Sequence, residues 1–225
     1  MTMKTTTSDR VSILPMLTSL YYSLTKVTVL GLGKRTPEFL GLDNYRSVLL
    51  DDPVFMQSIS NTFVYAFVRV FAGVFLSLLL ASLLNGRIPG RNIYRTLIYL
   101  PAIIPVVGAA MLWKQLFSVD FSLFNFMLSW IGIAPREWLS YDNAMGSVIL
   151  MSVWSGLGPT MIICLAALQN VPKDLVEAAE MDGANRIRRF RHITIPMISP
   201  TLVYLLVTGF IGALQAYAEM DLLTG

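Results

Sequence analysis

The sequence predicts an all-α protein, a polytopic bundle of membrane-spanning helices, from three observations. Hydrophobic residues make up 55% of the 225 residues, and charged residues only 14%, whereas soluble domains carry about 25% charged residues. Several apolar segments reach the roughly 20 residues that a helix needs to cross a bilayer. The basic residues cluster in short connectors. The net charge of +3 is modest and does not indicate a nucleic-acid partner.

Four segments are predicted to span the membrane. They are residues 61–84, 93–117, 145–169 and a segment that begins at Thr201 and becomes polar near Glu219. The apolar stretch 11–24 is too short, because its length as a helix is about 21 Å and the bilayer core is about 30 Å thick. We therefore expect it to be a partial first span.

The connectors between the spans indicate their orientation. Connectors 85–92 and 170–200 are rich in arginine, whereas connector 118–144 carries a single basic residue. Under the positive-inside rule the first two lie in the cytoplasm and the third lies outside. We expect residues 1–60 to form an N-terminal segment with a partial span and an extracytoplasmic loop, and residues 61–225 to form the transmembrane domain.

A compact polar block, "EAAEMDGANRIRRFRHITIP" (177–196), separates the last two spans. Pro172 suits the first turn of a helix, and Gly183 can end that helix in the left-handed conformation. Asn185 can cap a second short helix, which Pro196 is expected to stop. The pattern therefore predicts two short helices, joined at an angle and tied to a span at each end.

Two interpretations of this block are possible. A basic segment beside a span can rest on anionic lipid, which explains the arginines. The acidic residues, the glycine and the adjacent Ala178 and Ala179 are not explained in that way, and small side chains leave room for another protein surface. The residues favour a docking element for a cytoplasmic partner.

The block resembles the EAA loop of the permease subunits of ABC importers, whose pattern is E-A-A-x3-G-x9-I-x-L-P. The matching positions are Glu177, Ala178, Ala179, Gly183, Ile193, Ile195 and Pro196, with Ile195 in place of the usual leucine. "FLGLDNYRSVLLDD" (39–52) and "LQAYAEMDLLTG" (214–225) are similar to segments of the carbohydrate and glycerol-phosphate branch. The resemblance covers about residues 39–225.

The resemblance implies a type I ABC importer permease fold in a bacterial or archaeal plasma (inner) membrane. Members usually have six or more spans, so we expect a truncated chain with about four clear spans and a partial first span. The implied partners are a cytoplasmic ABC ATPase dimer, a second permease subunit that forms a heterodimer, an extracytoplasmic solute-binding protein and a sugar-like solute. ATP and magnesium would be bound by the ATPase, and no cofactor is expected in this chain.

The same resemblance assigns roles to residues of the loop. Glu177, Ala178, Ala179, Gly183 and Pro196 would form the ATPase contact and its hinge. Arg186 and Arg189 are added from their charge alone, as partners for acidic residues of the ATPase.

Polar residues inside predicted spans are candidates for the solute pathway. They are Arg69, Gln215, Tyr217 and Glu219. For Arg69 the residues favour an inward-facing structural pair over a role in the pathway. Glycines and prolines also interrupt the spans, among them Gly156 and Gly158, and they are typical either of close helix packing or of a polar pathway.

Other function classes find less support. "GLGKRT" (31–36) lacks the first glycine and the Ser or Thr after lysine that a phosphate-binding loop requires. An intramembrane serine protease would need a histidine within a span, and the only histidine, His192, lies in connector 170–200. An ion-gradient-driven carrier or channel would need acidic residues deep in several spans, and only Glu219 lies near one. We therefore predict a transport subunit that is not itself an enzyme.

Overall fold

The computed structural model describes residues 7–30, 34–86, 88–119 and 122–225. Gly31–Gly33 of the "GLGKRT" stretch and Arg87 of the basic connector 85–92 lie outside the described residues. The helices are α1 (Thr7–Ser23), α2 (Asp43–Arg46), α3 (Pro53–Leu84), α4 (Arg91–Tyr99), α5 (Val106–Leu116), α6 (Leu123–Trp130), α7 (Ala144–Gln169), α8 (Lys173–Met181), α9 (Arg186–Arg189), α10 (Ile195–Leu214) and α11 (Ala218–Thr224). Shorter helical turns extend several of them: π-helical turns at Ser47–Asp51 and Phe190–Thr194 and a 3₁₀ turn at Leu100–Ile103.

The structure divides into two compact units, one up to Ser60 and one from Asn61 onwards. The first contains α1, α2 and an antiparallel hairpin of strand β1 (Thr25–Leu30) with strand β2 (Lys34–Phe39), in which Thr25 pairs with Phe39. The sequence prediction of an all-α chain is thus confirmed except for this hairpin, whose first strand is rich in threonine and valine, β-branched residues that strands favour. At 17 residues, α1 is about 26 Å long, so it is short for a complete span.

The second unit contains the spanning helices. Three helical stretches are long and apolar enough to cross a membrane: Pro53–Leu84, Ala144–Gln169 and Arg186–Leu214. A fourth crossing is possible through the bent pair of Arg91–Ile103 with Val106–Leu116. These results agree with the prediction of about four spans, although no lipid is part of the structure.

Two predicted spans differ from the structure in shape. Segment 93–117 is not one straight helix, because it bends by 100° between Ile103 and Val106. Pro105 lies at this bend, and proline removes a donor and disfavours helical conformation in the residue before it. The predicted span from Thr201 begins earlier, at Ile195, and ends at Leu214, so Glu219 lies on the separate helix α11.

The spanning helices of the second unit pack through two clusters of buried apolar side chains. One cluster gathers residues of α3, α5, α7, α10 and α11, among them Tyr65, Trp113 and Met151. The other joins α3, α7 and α10 through residues such as Met161 and Ile198. Many large apolar side chains of α3 remain exposed outside these clusters, including Phe63 at 64% and Phe75 at 65%, as expected for helices that lipid would cover.

Gly158 allows α4 to pack directly on α7. A Cβ atom at this position would lie 2.6 Å from the Tyr99 Cα and 2.8 Å from the Ile98 carbonyl oxygen. Side chains essentially never approach backbone so closely, so only glycine fits. Of the two interpretations left open for the glycines in the spans, close packing therefore applies at Gly158.

Candidate functional site

The block between α7 and α10 forms two short helices separated by a glycine, as predicted. Helix α8 begins after Pro172, and Gly183 has φ +77°, in the left-handed region. The Gly183 N–H donates to the Glu180 carbonyl at 3.0 Å and the Ala184 N–H to the Ala179 carbonyl at 2.9 Å. This pair of bonds is the Schellman motif, which ends helices at a glycine.

Asn185 starts the second short helix, α9. Its side-chain oxygen accepts a hydrogen bond from the Arg188 backbone N–H at 2.8 Å, which is the N-cap interaction predicted from the sequence. Because both helix ends are satisfied within the block, the angle between α8 and α9 is set by local interactions.

The second helix does not stop at Pro196, which corrects that expectation. A π-helical turn, Phe190–Thr194, follows α9 and leads without a break into α10. Pro196 is the second residue of α10, and the wider π-helical turn just before it accommodates the ring and the missing N–H of a proline inside a helix. The wide turn before it leaves the chain helical throughout, so α9 and α10 are one continuous rod from Arg186 to Leu214.

An open groove of about 760 Å³ lies along this block and the ends of α3 and α7. Polar and apolar side chains line the groove. The polar and charged ones include Asn85, Gln169, Glu177, Glu180, Arg186 and Arg189. On α8, Glu177 and Ala178 are exposed and Ala179 is half-buried. The predicted contact residues of the loop are therefore brought together on an accessible surface.

The two arginines assigned from charge differ in their surroundings. Arg189 forms an ion pair with Glu180, with 2.7 Å between the guanidinium nitrogen and the carboxylate oxygen, and its side chain is 19% exposed. Arg189 thus has an acidic partner within the block itself, and its contact with an acid of the ATPase stays a prediction. Arg186 is exposed and stays available.

A second polar group lies among the spanning helices. The hydroxyls of Tyr65 (α3) and Ser152 (α7) donate to the same Glu219 carboxylate oxygen, at 2.8 Å and 2.7 Å. The two hydroxyl oxygens lie 2.9 Å apart. This Tyr65–Ser152–Glu219 cluster satisfies a carboxylate inside the bundle, where an unpaired polar group is unfavourable.

The candidate pathway residues are only partly brought together. Arg69 lies one helical turn after Tyr65, with its guanidinium carbon 5.9 Å from the centre of the Tyr65 ring, a cation–π distance. Arg69 and Glu219 therefore flank the same tyrosine. Gln215 and Tyr217 lie in the break between α10 and α11 and are exposed, Tyr217 by 75%, so they stand outside this cluster.

Tyr65 and Ser152 were missed by reasoning from the sequence. One signal was available for Tyr65, which lies four positions before Arg69. Residues four apart lie on the same face of a helix, so Tyr65 could have been identified as a polar neighbour of Arg69. Nothing in the sequence marks Ser152, since its partner is 67 positions away.

Three comparisons with known proteins bear on this geometry. The family model "Binding-protein-dependent transport system inner membrane component" matches residues 73–225. The probable ABC transporter permease protein YesP of Bacillus subtilis is 37% identical over 210 residues, covering 92% of this chain and 66% of that protein. The sn-glycerol-3-phosphate transport system permease protein UgpA of Pectobacterium atrosepticum is 35% identical over 195 residues, covering 87% and 65%.

A solved structure is also similar. It is a bacterial ABC transporter involved in the import of the acidic polysaccharide alginate, with a TM-score of 0.76 and 25% identity, covering 93% of this chain and 70% of that one. The chain thus spans about two thirds of the length of the curated relatives it matches.

Proposed function

We propose, since this chain belongs to the family of binding-protein-dependent transport system inner membrane components, that it forms part of the translocation pathway of an ATP-driven importer. The solute would be a sugar or a related polar molecule. A separate cytoplasmic ATPase would supply the energy, and the α8–α9 block would receive it. ATP and magnesium would be bound by that ATPase.

The geometry of the α8–α9 block supports the coupling role. Two short helices, each with its exposed end satisfied by Gly183 or Asn185, present Glu177 and Ala178 to the surroundings. The small Ala178 side chain permits a close approach by another backbone. Exposed Arg186 can meet an acidic group on the ATPase, while Arg189 keeps the two helices together through Glu180.

The continuous rod from Arg186 to Leu214 supports a mechanical path from the block into the membrane. Displacement of α9 by the ATPase would move α10 with it, because no flexible loop separates them. The exposed break at Gln215 and Tyr217 follows directly and is the place where this movement can change the pathway. Alternating exposure of a central site is how such importers are expected to work.

Candidate pathway residues are Arg69, Gln215, Tyr217 and Glu219, and the Tyr65–Ser152–Glu219 cluster extends this set. Polar groups inside membrane spans are unfavourable and are usually retained for function. Tyr217 could stack on a sugar ring, since 75% of its surface is exposed.

The family description and the relatives support the remaining assignments. "Binding-protein-dependent" implies an extracytoplasmic solute-binding protein, and "inner membrane" implies the bacterial or archaeal plasma membrane. The named relatives transport sn-glycerol 3-phosphate or take part in alginate import, so a sugar-like solute is proposed here. A second permease subunit, in a heterodimer, would complete the pathway.

A substitution at the block tests this function. The permease would be co-expressed with the ATPase and the second permease that co-purify with it, and radiolabelled sugar uptake would be measured in proteoliposomes supplied with the solute-binding protein. Ala178→Trp should abolish ATPase co-purification and ATP-dependent uptake, because the indole blocks close approach. Ala134→Trp, at an exposed position of connector 118–144, is the matched control and should change neither.

Two results would contradict the proposal. One is uptake that proceeds on an ion gradient alone, without ATP. The other is an Ala178→Trp variant that still binds its ATPase and transports at the wild-type rate.

A further inference from the structure

A small cavity between α3, α7 and α10 carries one positive charge. Its volume is about 90 Å³, which corresponds to about three water molecules at roughly 30 Å³ each. Arg69 is the only charged residue among the described residues that line it, and hydroxyls of Ser152 and Thr160 lie in the same wall. Arg69 and Thr160 can donate to a group in this cavity, whereas the single hydroxyl proton of Ser152 is already donated to Glu219.

Arg69 has no acidic partner within the described part of the chain. The only ion pair there joins Arg189 and Glu180. The guanidinium carbon of Arg69 instead lies 5.9 Å from the centre of the Tyr65 ring. The Glu219 carboxylate does not line the cavity, and its Oε2 atom already accepts hydrogen bonds from Tyr65 and Ser152. A half-buried guanidinium therefore lines the cavity without a direct ion pair, and the Glu219 carboxylate lies behind Tyr65 and Ser152.

Glycines from three helices determine where the cavity is open. A Cβ atom added at Gly73 of α3 or Gly156 of α7 would meet nothing within 4 Å, whereas one at Gly209 of α10 would lie 3.1 Å from a Val70 methyl. The cavity is thus open beside α3 and α7 and closed by packing at α10. Its volume is sufficient for a single carboxylate or phosphate group.

We propose that Arg69 binds the anionic group of the transported solute, so that the preferred solutes are acidic sugars or sugar phosphates. This inference rests on the proposed transport function and specifies its substrate class. Guanidinium pairs with carboxylate and phosphate through parallel hydrogen bonds, and the Thr160 hydroxyl could donate to a further oxygen of the same group. A neutral sugar would leave the charge of Arg69 unpaired.

Equilibrium binding to the assembled importer tests this assignment. The importer would be placed in nanodiscs without its solute-binding protein, so that only sites on the membrane subunits are probed. The ligands would be trigalacturonate, glycerol 3-phosphate and maltotriose, which carry carboxylates, a phosphate and no charge. Wild-type protein should bind at least one anionic ligand about tenfold or more tightly than maltotriose, and the ligand that does so identifies the group.

Three variants complete the experiment. Arg69→Gln should weaken the anionic ligand about tenfold or more and leave maltotriose within about twofold, a difference expected for a charge-assisted hydrogen bond. Arg69→Lys keeps the charge and should retain the anionic preference, which keeps the test informative should the glutamine variant fail to assemble. Arg95→Gln, at a half-buried arginine of α4 away from the cavity, should behave as wild type.

Equal binding of charged and neutral ligands by wild type, or an Arg69→Gln variant with unchanged anionic affinity, would overturn the inference. These results are distinguishable from failure of the transport function. An importer that takes up maltotriose with ATP and loses this uptake in Ala178→Trp would retain the proposed function while Arg69 lost its assigned role.

Discussion

The Tyr65 hydroxyl donates a 2.8 Å hydrogen bond to the Glu219 carboxylate, across 154 positions of the chain. Ser152 donates to the same oxygen, so the carboxylate connects helices α3, α7 and α11. Tyr65 is fully buried and Ser152 is 1% exposed. The cluster therefore fixes the short helix α11, which follows the exposed break after α10, against two long spanning helices.

Removing the tyrosine hydroxyl should loosen this arrangement. We expect Tyr65→Phe to destabilise the purified importer by about 1–3 kcal/mol, because the half-buried Glu219 carboxylate loses one of its two donors. Thermal unfolding followed by fluorescence-detected size exclusion measures the change. Tyr204→Phe is the matched control, since Tyr204 is 58% exposed on α10, and equal effects of the two substitutions would show that the cluster is unimportant for stability.

Gly158 should not tolerate a side chain. We expect Gly158→Ala to lower stability by about 1–3 kcal/mol or more, because the new methyl group would overlap the backbone of Ile98 and Tyr99. Gly146→Ala lies on the same helix with open space around its Cβ position and should be neutral or stabilising by up to about 1 kcal/mol. The midpoint of thermal unfolding distinguishes the two, and an unaffected Gly158→Ala variant would mean that α4 does not pack on α7 in this way.

Gly183 should be required at the junction of α8 and α9. Its φ of +77° makes Gly183→Ala unfavourable by about 1–2 kcal/mol, which would alter the angle between the helices and weaken ATPase co-purification. Gly132→Ala introduces similar backbone strain at φ +75° in another connector. We expect that variant to keep the ATPase bound, and equal loss in both variants would point to general misfolding.

The interaction between positions 180 and 189 should require opposite charges, but the acid and the base could exchange positions. Reversing either residue alone, by Glu180→Arg or Arg189→Glu, should weaken ATPase binding, and the double reversal should recover part of the loss. The expected coupling is up to about 1 kcal/mol, because Glu180 is 66% exposed and such pairs are screened by water. Affinities from surface plasmon resonance complete the double-mutant cycle, in which purely additive effects would show that the pair plays no part.

The sequence predicted the membrane bundle and the local structure of the α8–α9 block well, for a common reason. Hydrophobic segments long enough for a bilayer are properties of consecutive residues, and so are Gly183 as a helix end and Asn185 as a cap. The resemblance to importer permeases likewise rested on short segments of consecutive residues, above all the block at 177–196. Each of these features is specified by neighbours in the chain, and no distant contact is needed to recognise it.

Features that depend on distant residues were decided only in the tertiary structure. Proline marks both the 100° bend before α5 and the uninterrupted passage from α9 into α10, so a proline in the sequence does not tell which helix will break. The donors of Glu219, the contact that excludes a side chain at Gly158 and the cavity in front of Arg69 each join helices far apart in sequence. A hydrogen bond or a cavity exists only where folded helices meet, and periodicity along one helix does not specify which partner it will meet.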